Sequence, residues 1–279
     1  MNLSETLELV RKKEKANAKL LQSALLLKRH YNRRSDFNML RGFDAFYLPA
    51  VNSKARIKWA TAFIEETFKY FDLDENDEGP GEPVFLVTIA DKPHVTTDQA
   101  ANIDFQAIRR KLAGALQGLN YIGMIESGYY NAIYDEKDCL QKNIVSWHGH
   151  FIVWGITGKE LLQWRDKIAY RVAPIMLDMC AIHIKAIPPD QFGHRLWYIN
   201  KSPRKEYSVG KRSKPNDHGL PRYKQNSRPL RPGHRVRLFY MLRYVTLPEL
   251  AMAGGDGREL LRKIKYEALR EYRRKNRRD

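Results

Sequence analysis

Two imidazoles two residues apart, His148 and His150, sit in an otherwise apolar run from Val145 to Trp154. Side chains at i and i+2 of a strand project to one face, so a strand here presents both rings together while Phe151 and Val153 face the other way. Paired neutral imidazoles suit a divalent metal. The competing reading is a pair of edge-strand histidines, with Gly149 marking a bulge. Upstream, a short apolar run from Tyr121 ends in Glu126. Its carboxylate either adds an oxygen ligand beside the rings or stays a solvated strand-end acid. Asp135, Glu136 and Asp138 are rival acids in a polar loop. Downstream, Pro189 and Asp190 can open a helix that carries Trp197-Tyr198-Ile199-Asn200-Lys201. On that helix Tyr198 and Lys201 share a face, with His194 on the same stripe. A phenol is a usable covalent nucleophile but is nearly all protonated at neutral pH. A metal that polarises a phosphoryl oxygen and a nearby ammonium would both help it attack a phosphodiester.

In this order and spacing the chain resembles the HUH endonucleases of the rolling-circle replication initiator (Rep) type. That family carries an apolar strand ending in Thr, a His-hydrophobe-His strand and a later Tyr-x-x-Lys helix. The counterparts here are Val84-Phe-Leu-Val-Thr-Ile89, His148-Gly149-His150 and Tyr198-x-x-Lys201. Each motif alone is weak, and the signal lies in their joint order across roughly residues 80 to 205. Two positions depart from the pattern. Gly149 stands where the family usually has a bulky apolar residue, and His194 stands where some initiators have a second tyrosine. The chain is therefore similar to the single-tyrosine type, with Tyr207 the only nearby substitute.

The resemblance implies a metal-dependent enzyme that nicks and rejoins single-stranded DNA. His148 and His150, with Glu126, would hold Mg or Mn, although two imidazoles equally admit Zn. Tyr198 would become linked to the 5′ phosphate, with Lys201 stabilising charge or helping to deprotonate the phenol. Initiation of plasmid or phage rolling-circle replication is the expected role, with an HUH-type transposase as the alternative. Expected partners are single-stranded DNA or an origin hairpin, together with a host helicase and polymerase. A non-catalytic nucleic-acid-binding module of the same fold, and a phosphoesterase that uses water, remain open.

The elements that must position these residues read as α+β. Strands are expected at Pro83 to Ala90, Tyr121 to Glu126, Ile144 to Trp154 and Ala181 to Ile187. Helices are expected at Asp98 to Leu119 and Gly158 to Leu177. The resulting β-α-β-β-α-β order is that of a ferredoxin/RRM-like antiparallel sheet, the HUH endonuclease fold. Additional helical regions flank it at both ends of the chain. His183, on the last of these strands, reads as an ordinary sheet histidine. Residues 1–80 read as a helical region, with helices to about residue 34 and from Ser53 to Tyr70, plus an acidic linker from Asp72. Residues 81–205 form the expected core, and residues 206–279 a basic DNA-contacting segment with C-terminal helices.

Lys and Arg number 49 against 32 Asp and Glu, giving a net charge of +17. Such an excess attracts a polyanion and makes its binding salt-sensitive. No apolar run is long enough to span a bilayer, and the start lacks a signal-peptide pattern, so a cytoplasmic protein without membrane contact is expected. Cys139 and Cys180 form neither a disulfide framework nor a zinc spacing. From Pro203 to His234 the chain is polar and basic, with Arg204, Lys205, Lys211 and Arg212 around Tyr207. These residues are expected to neutralise phosphates while the ring stacks on bases; the alternative is a solvated, disordered loop. No Walker motif is present.

Overall fold

In a computed structural model, residues 1–27, 40, 47–100, 102–133, 143–175, 180–211 and 223–275 are described. Arg212, Cys139 and the loop acids Asp135, Glu136 and Asp138 lie outside them, as does the end of the first expected helix. The N-terminal part carries α1 (Leu3–Leu27) and α2 (Ser53–Tyr70), the latter capped by the Asn52 side chain, which accepts from the Ala55 N–H. The apolar runs then form β1 (Val84–Ile89), a short β2 (Val95–Thr97), β3 (Asn120–Ile133), β4 (Ile144–Trp154) and β5 (Ile182–Ala186). Between them lie α3 (Phe105–Ala115) and α4 (Gly158–Ile168), and after them α5 (Phe192–Asn200).

Both expected crossover helices are shorter than their apolar periodicity suggests, for local reasons. Asp104 accepts from the Ala107 N–H and starts α3 there. Asp98 instead accepts from the Tyr129 hydroxyl at 2.6 Å. α4 opens with a Thr157–Glu160 capping box and gives way to a 3-10 turn at Ala169–Arg171. Pro174 disfavours helical geometry at Ala173, whose N–H donates to Asp91 at 2.9 Å.

The remaining chain departs more from expectation. The basic segment pairs as two strands, β6 (Lys205–Lys211) and β7 (Tyr223–Pro229). Then come α6 (Pro232–Leu242), a one-turn α7 (Leu247–Leu250), β8 (Ala251–Gly254) and α8 (Gly257–Lys275). The strand order is β5-β1-β4-β3-β6-β7, with β2 also on β4 and β8 also on β3. β1 is antiparallel to β4 and β5, and β3 is antiparallel to β4. β6, however, runs parallel to β3, so the sheet is mixed rather than antiparallel throughout. A buried carboxylate fixes this addition. Glu206 accepts from the Arg231 N–H at 3.1 Å and pairs with Arg228 at 2.5 Å and His234 at 2.6 Å, tying ribbon and α6 together.

Successive residues of β4 divide the two faces. Phe151 and Val153, fully buried, look toward α3, whose Leu112 packs behind Gly149. His148, His150 and Trp154 look toward the other layer, where Phe71 at the end of α2 packs edge-on against Trp154 and Phe192 of α5. One hydrophobic core joins both faces and includes Trp59, Phe63 and Ile264 from the flanking helices. Among the described residues, no helix is long and apolar enough to cross a membrane.

Candidate metal and tyrosine site

The β3–β4–β1 ladder places four polar side chains on one face. Glu126 is the direct cross-strand partner of His148, and Thr88 that of His150. Register rather than loop geometry therefore sets their spacing. His150 Nε2 lies 3.1 Å from His148 Nε2 and 3.0 Å from Glu126 Oε2, and His148 Nε2 is 4.0 Å from that oxygen. One ligand atom from each of the three lies within 4.8 Å of the others.

The opposite ring nitrogens are held. His148 Nδ1 is 3.2 Å from the Ser146 carbonyl, and His150 Nδ1 is 2.8 Å from the Thr88 hydroxyl. With the proton on Nδ1 in each ring, both bonds are made and both Nε2 lone pairs point at the shared space. Burial, reinforced by the neighbouring His150 charge, pushes His148 down to about 4. Burial likewise lowers His150, against the pull of Glu126. Both rings are thus neutral at physiological pH, the form in which an imidazole can ligate a metal. Burial alone would raise Glu126, but the Lys201 ammonium holds it well below the usual carboxylate range. Two neutral nitrogens and a carboxylate form a donor set that fits a divalent cation.

Gly149 makes no bulge; its register against Ile89 and Ile125 is unbroken. The space a larger residue would fill is taken by the Phe151 ring. A Cβ on Gly149 would lie 2.3 Å from Phe151 Cε2.

Tyr198 reaches this face from α5. Its ring stands edge-on to His150, centroids 5.0 Å apart, and the Lys201 ammonium lies 3.8 Å from its centroid. Burial, followed by the Glu126 charge, raises the Tyr198 phenol well above its ordinary value. Lys201, expected to lie on the helix and share a face with Tyr198, is instead the extended residue just past α5. It ion-pairs with Glu126.

The turn that carries Lys201 is clamped on both sides. Arg56 Nη2 donates to the Asn200 carbonyl at 2.9 Å. Glu14 accepts from the Ser202 N–H at 3.1 Å and from its hydroxyl. Arg56 Nε lies 3.4 Å from Glu14, so α1 and α2 join through a buried ion pair. Neither Glu14 nor Arg56 has a motif around it; the contact to Ser202 spans 188 residues. Thr88 was visible as the strand-end threonine, but its bond to His150 follows only from the register.

The other expected residues are placed as follows. Arg204 is half-buried, 3.7 Å from Glu14 and over the Trp197 ring at 5.6 Å. Lys205 is exposed at the start of β6. Tyr207 packs on Tyr130, centroids 5.3 Å apart, with its phenol pushed up to about 12 by burial and by Glu126. Lys211 ends β6. His194 lies against Trp197 rather than joining the site. His183 is exposed on β5. Comparisons with protein-family models, curated proteins and solved structures find no match to this chain.

Proposed function

We propose that this protein is a metal-dependent, single-strand-specific DNA nicking and joining enzyme that works through Tyr198 and initiates rolling-circle replication of a plasmid or phage. The observation that carries the reading is the convergence of Glu126, His148 and His150 beside the Tyr198 ring, with Lys201 against that ring. The path β1-α3-β3-β4-α4-β5 with strand order β5-β1-β4-β3 supports a ferredoxin-like unit of the HUH kind as the scaffold.

His148, His150 and Glu126 would hold Mg or Mn, which when bound supplies Lewis-acid polarisation of the scissile phosphate. Tyr198 Oη attacks phosphorus, the bond to the 3′ oxygen breaks, and that oxygen takes a proton. The products are a 5′-phosphotyrosine and a free 3′ hydroxyl. Because Tyr198 rests protonated, the Lys201 ammonium has two roles open to it: stabilising phenolate charge as it develops, and offsetting the charge of Glu126. The covalent link conserves the bond energy, so joining needs no nucleotide. A host polymerase, with a helicase, would extend the 3′ end.

The raised Tyr198 phenol also favours a second reading, a phosphoesterase in which water attacks and Tyr198 is structural. Labelled circular single-stranded DNA from a small replicon, incubated with Mn or Mg and run on a denaturing gel, separates the two. Labelled protein that disappears in Tyr198→Phe is the expected result. Cleavage that persists in Tyr198→Phe without an adduct would select the water mechanism. Tight binding with no cleavage would leave a non-catalytic module.

A further inference from the structure

A cavity of about 1050 Å³ lies away from the triad. It lies between the start of α3, the end of α6, α7 and α8, and its wall includes Phe105. The Phe105 ring packs edge-on against Trp147, the neighbour of His148 on β4. The cavity thus sits behind the strand whose front carries the metal ligands.

Its charges are unevenly balanced. The acids that line it are committed elsewhere. Asp98 accepts from the Tyr129 hydroxyl and pairs with Arg237. Asp104 caps α3 by accepting from Ala107, and Glu249 accepts from the Thr246 N–H at 2.7 Å and its hydroxyl at 2.8 Å. Three cations have no carboxylate among the described residues. Arg109 donates only to the backbone carbonyls of Glu249 and Ala251. Arg243 lies over two rings, 5.1 Å from the Tyr240 centroid and 4.6 Å from that of Tyr244. Lys265 is half-buried, and burial followed by the Arg109 charge lowers its ammonium from the ordinary lysine value. Tyr244 is 74% exposed at the rim. Concave, uncompensated positive charge draws an anion, and a tyrosine–arginine stack offers flat faces to unpaired bases. The wall mixes apolar side chains such as Ile103, Met241 and Val245 with the charged groups and phenols; the uncompensated cations beside exposed aromatic rings are what favour a nucleic acid over a protein partner.

We infer that this groove is a second binding surface for single-stranded DNA: Tyr244 and Arg243 stack on bases while Lys265 and Arg109 face phosphates. The inference rests on the proposed DNA substrate, but it concerns affinity rather than chemistry. It gives the enzyme a hold on the strand that is independent of the scissile position.

The test is fluorescence anisotropy of a labelled single-stranded oligonucleotide with the full-length protein, in chelator so that no cleavage intervenes, over a range of salt. Tyr244→Ala should weaken binding about 5- to 150-fold with little change in salt dependence, the signature of a lost stack. Arg109→Ala with Lys265→Ala should weaken it and flatten the slope of log K against log salt by about 1.4, roughly 0.7 for each phosphate contact. Lys167→Ala, at an exposed cation on α4 outside the groove, should leave both quantities unchanged. The substituted groove positions are at least partly exposed, and circular dichroism would verify the folding of the variants. Unchanged affinity and slope in the groove variants would overturn the proposal, as would failure of the wild type to bind. Groove-dependent binding without any nicking would support this surface while removing the nicking reaction.

Discussion

The candidate metal triad and the Tyr198–Lys201 pair sit within a few ångströms of one another, yet they are held in different ways. Glu126, His148 and His150 are fixed by adjacent strands, and their register is enforced by the whole β1–β4–β3 ladder. Lys201 hangs on an extended residue past a nine-residue helix, and its neighbours are fastened by Glu14 and Arg56 from two other helices. A ladder shares its positioning over many backbone bonds, so single substitutions erode it slowly. A buried ion pair concentrates positioning in a few atoms, and removing one partner leaves charge stranded. The two halves of the candidate site should therefore fail differently.

The largest effect is expected from Glu14→Ala. It strands Arg56, which is 7% exposed, together with half-buried Arg204, and frees the Ser202 N–H. Breaking a buried pair from one side costs about 3–5 kcal/mol, so the denaturation midpoint should fall sharply. Glu14→Gln keeps an acceptor for Ser202 and should cost less. The sharper measurement is at a temperature where both variants remain folded. There Mn affinity should stay near wild type while formation of the tyrosine adduct falls. Equal loss of both would mean that the triad depends on the clamp as well, and the contrast between the halves would dissolve.

How much of this was legible in the sequence follows the same division. Apolar alternation and the His-x-His spacing located β4 and its two inward-paired imidazoles, because a period of two is a local property. The carboxylate at Glu126 was also locatable, since it ends an apolar run that a neighbouring strand can pair with. The clamp was not legible: Glu14 lies on a helix with many charges, and nothing local distinguishes it from a solvated glutamate. Likewise β6 and β7 were obscured by their basic composition, although Tyr207 and Val209 alternate with Glu206 and Ser208. The closing interaction there is the buried Glu206, whose partners come from beyond the ribbon turn.

On the ladder side, the outer partner of His150 offers a smaller and more selective perturbation. Thr88→Val keeps the shape and removes the hydroxyl 2.8 Å from His150 Nδ1. The strand pairing should survive, but the ring loses the bond that sets its orientation and tautomer. Outer partners of metal-bound histidines typically contribute 10- to 100-fold in affinity, about 1.4–2.8 kcal/mol. Mn affinity should fall by about that factor with the melting temperature nearly unchanged. An unaltered affinity would mean that the neighbouring side chains alone orient His150, and that the ladder needs no hydroxyl.

The smallest effect is expected at the position that departs most visibly from the His-hydrophobe-His pattern. Gly149→Ala puts a Cβ within 2.3 Å of Phe151 Cε2 and 2.4 Å of its Cζ, while Leu112 stands 3.4 Å away. Overpacking a filled core costs about 1–3 kcal/mol. Replacing a strand glycine returns about 0.5–1 kcal/mol of chain entropy, so the net loss should be near 1 kcal/mol. The strain lies behind the sheet, on the side away from the imidazoles, and the backbone register is shared with two neighbours. Metal affinity should therefore change less than stability does. Adding Phe151→Leu makes room for the new methyl group, and the double variant should lose less stability than the sum of the two single ones. A strictly additive result would show that the ring can turn aside unaided, and that Phe151 does not stand in for the missing side chain.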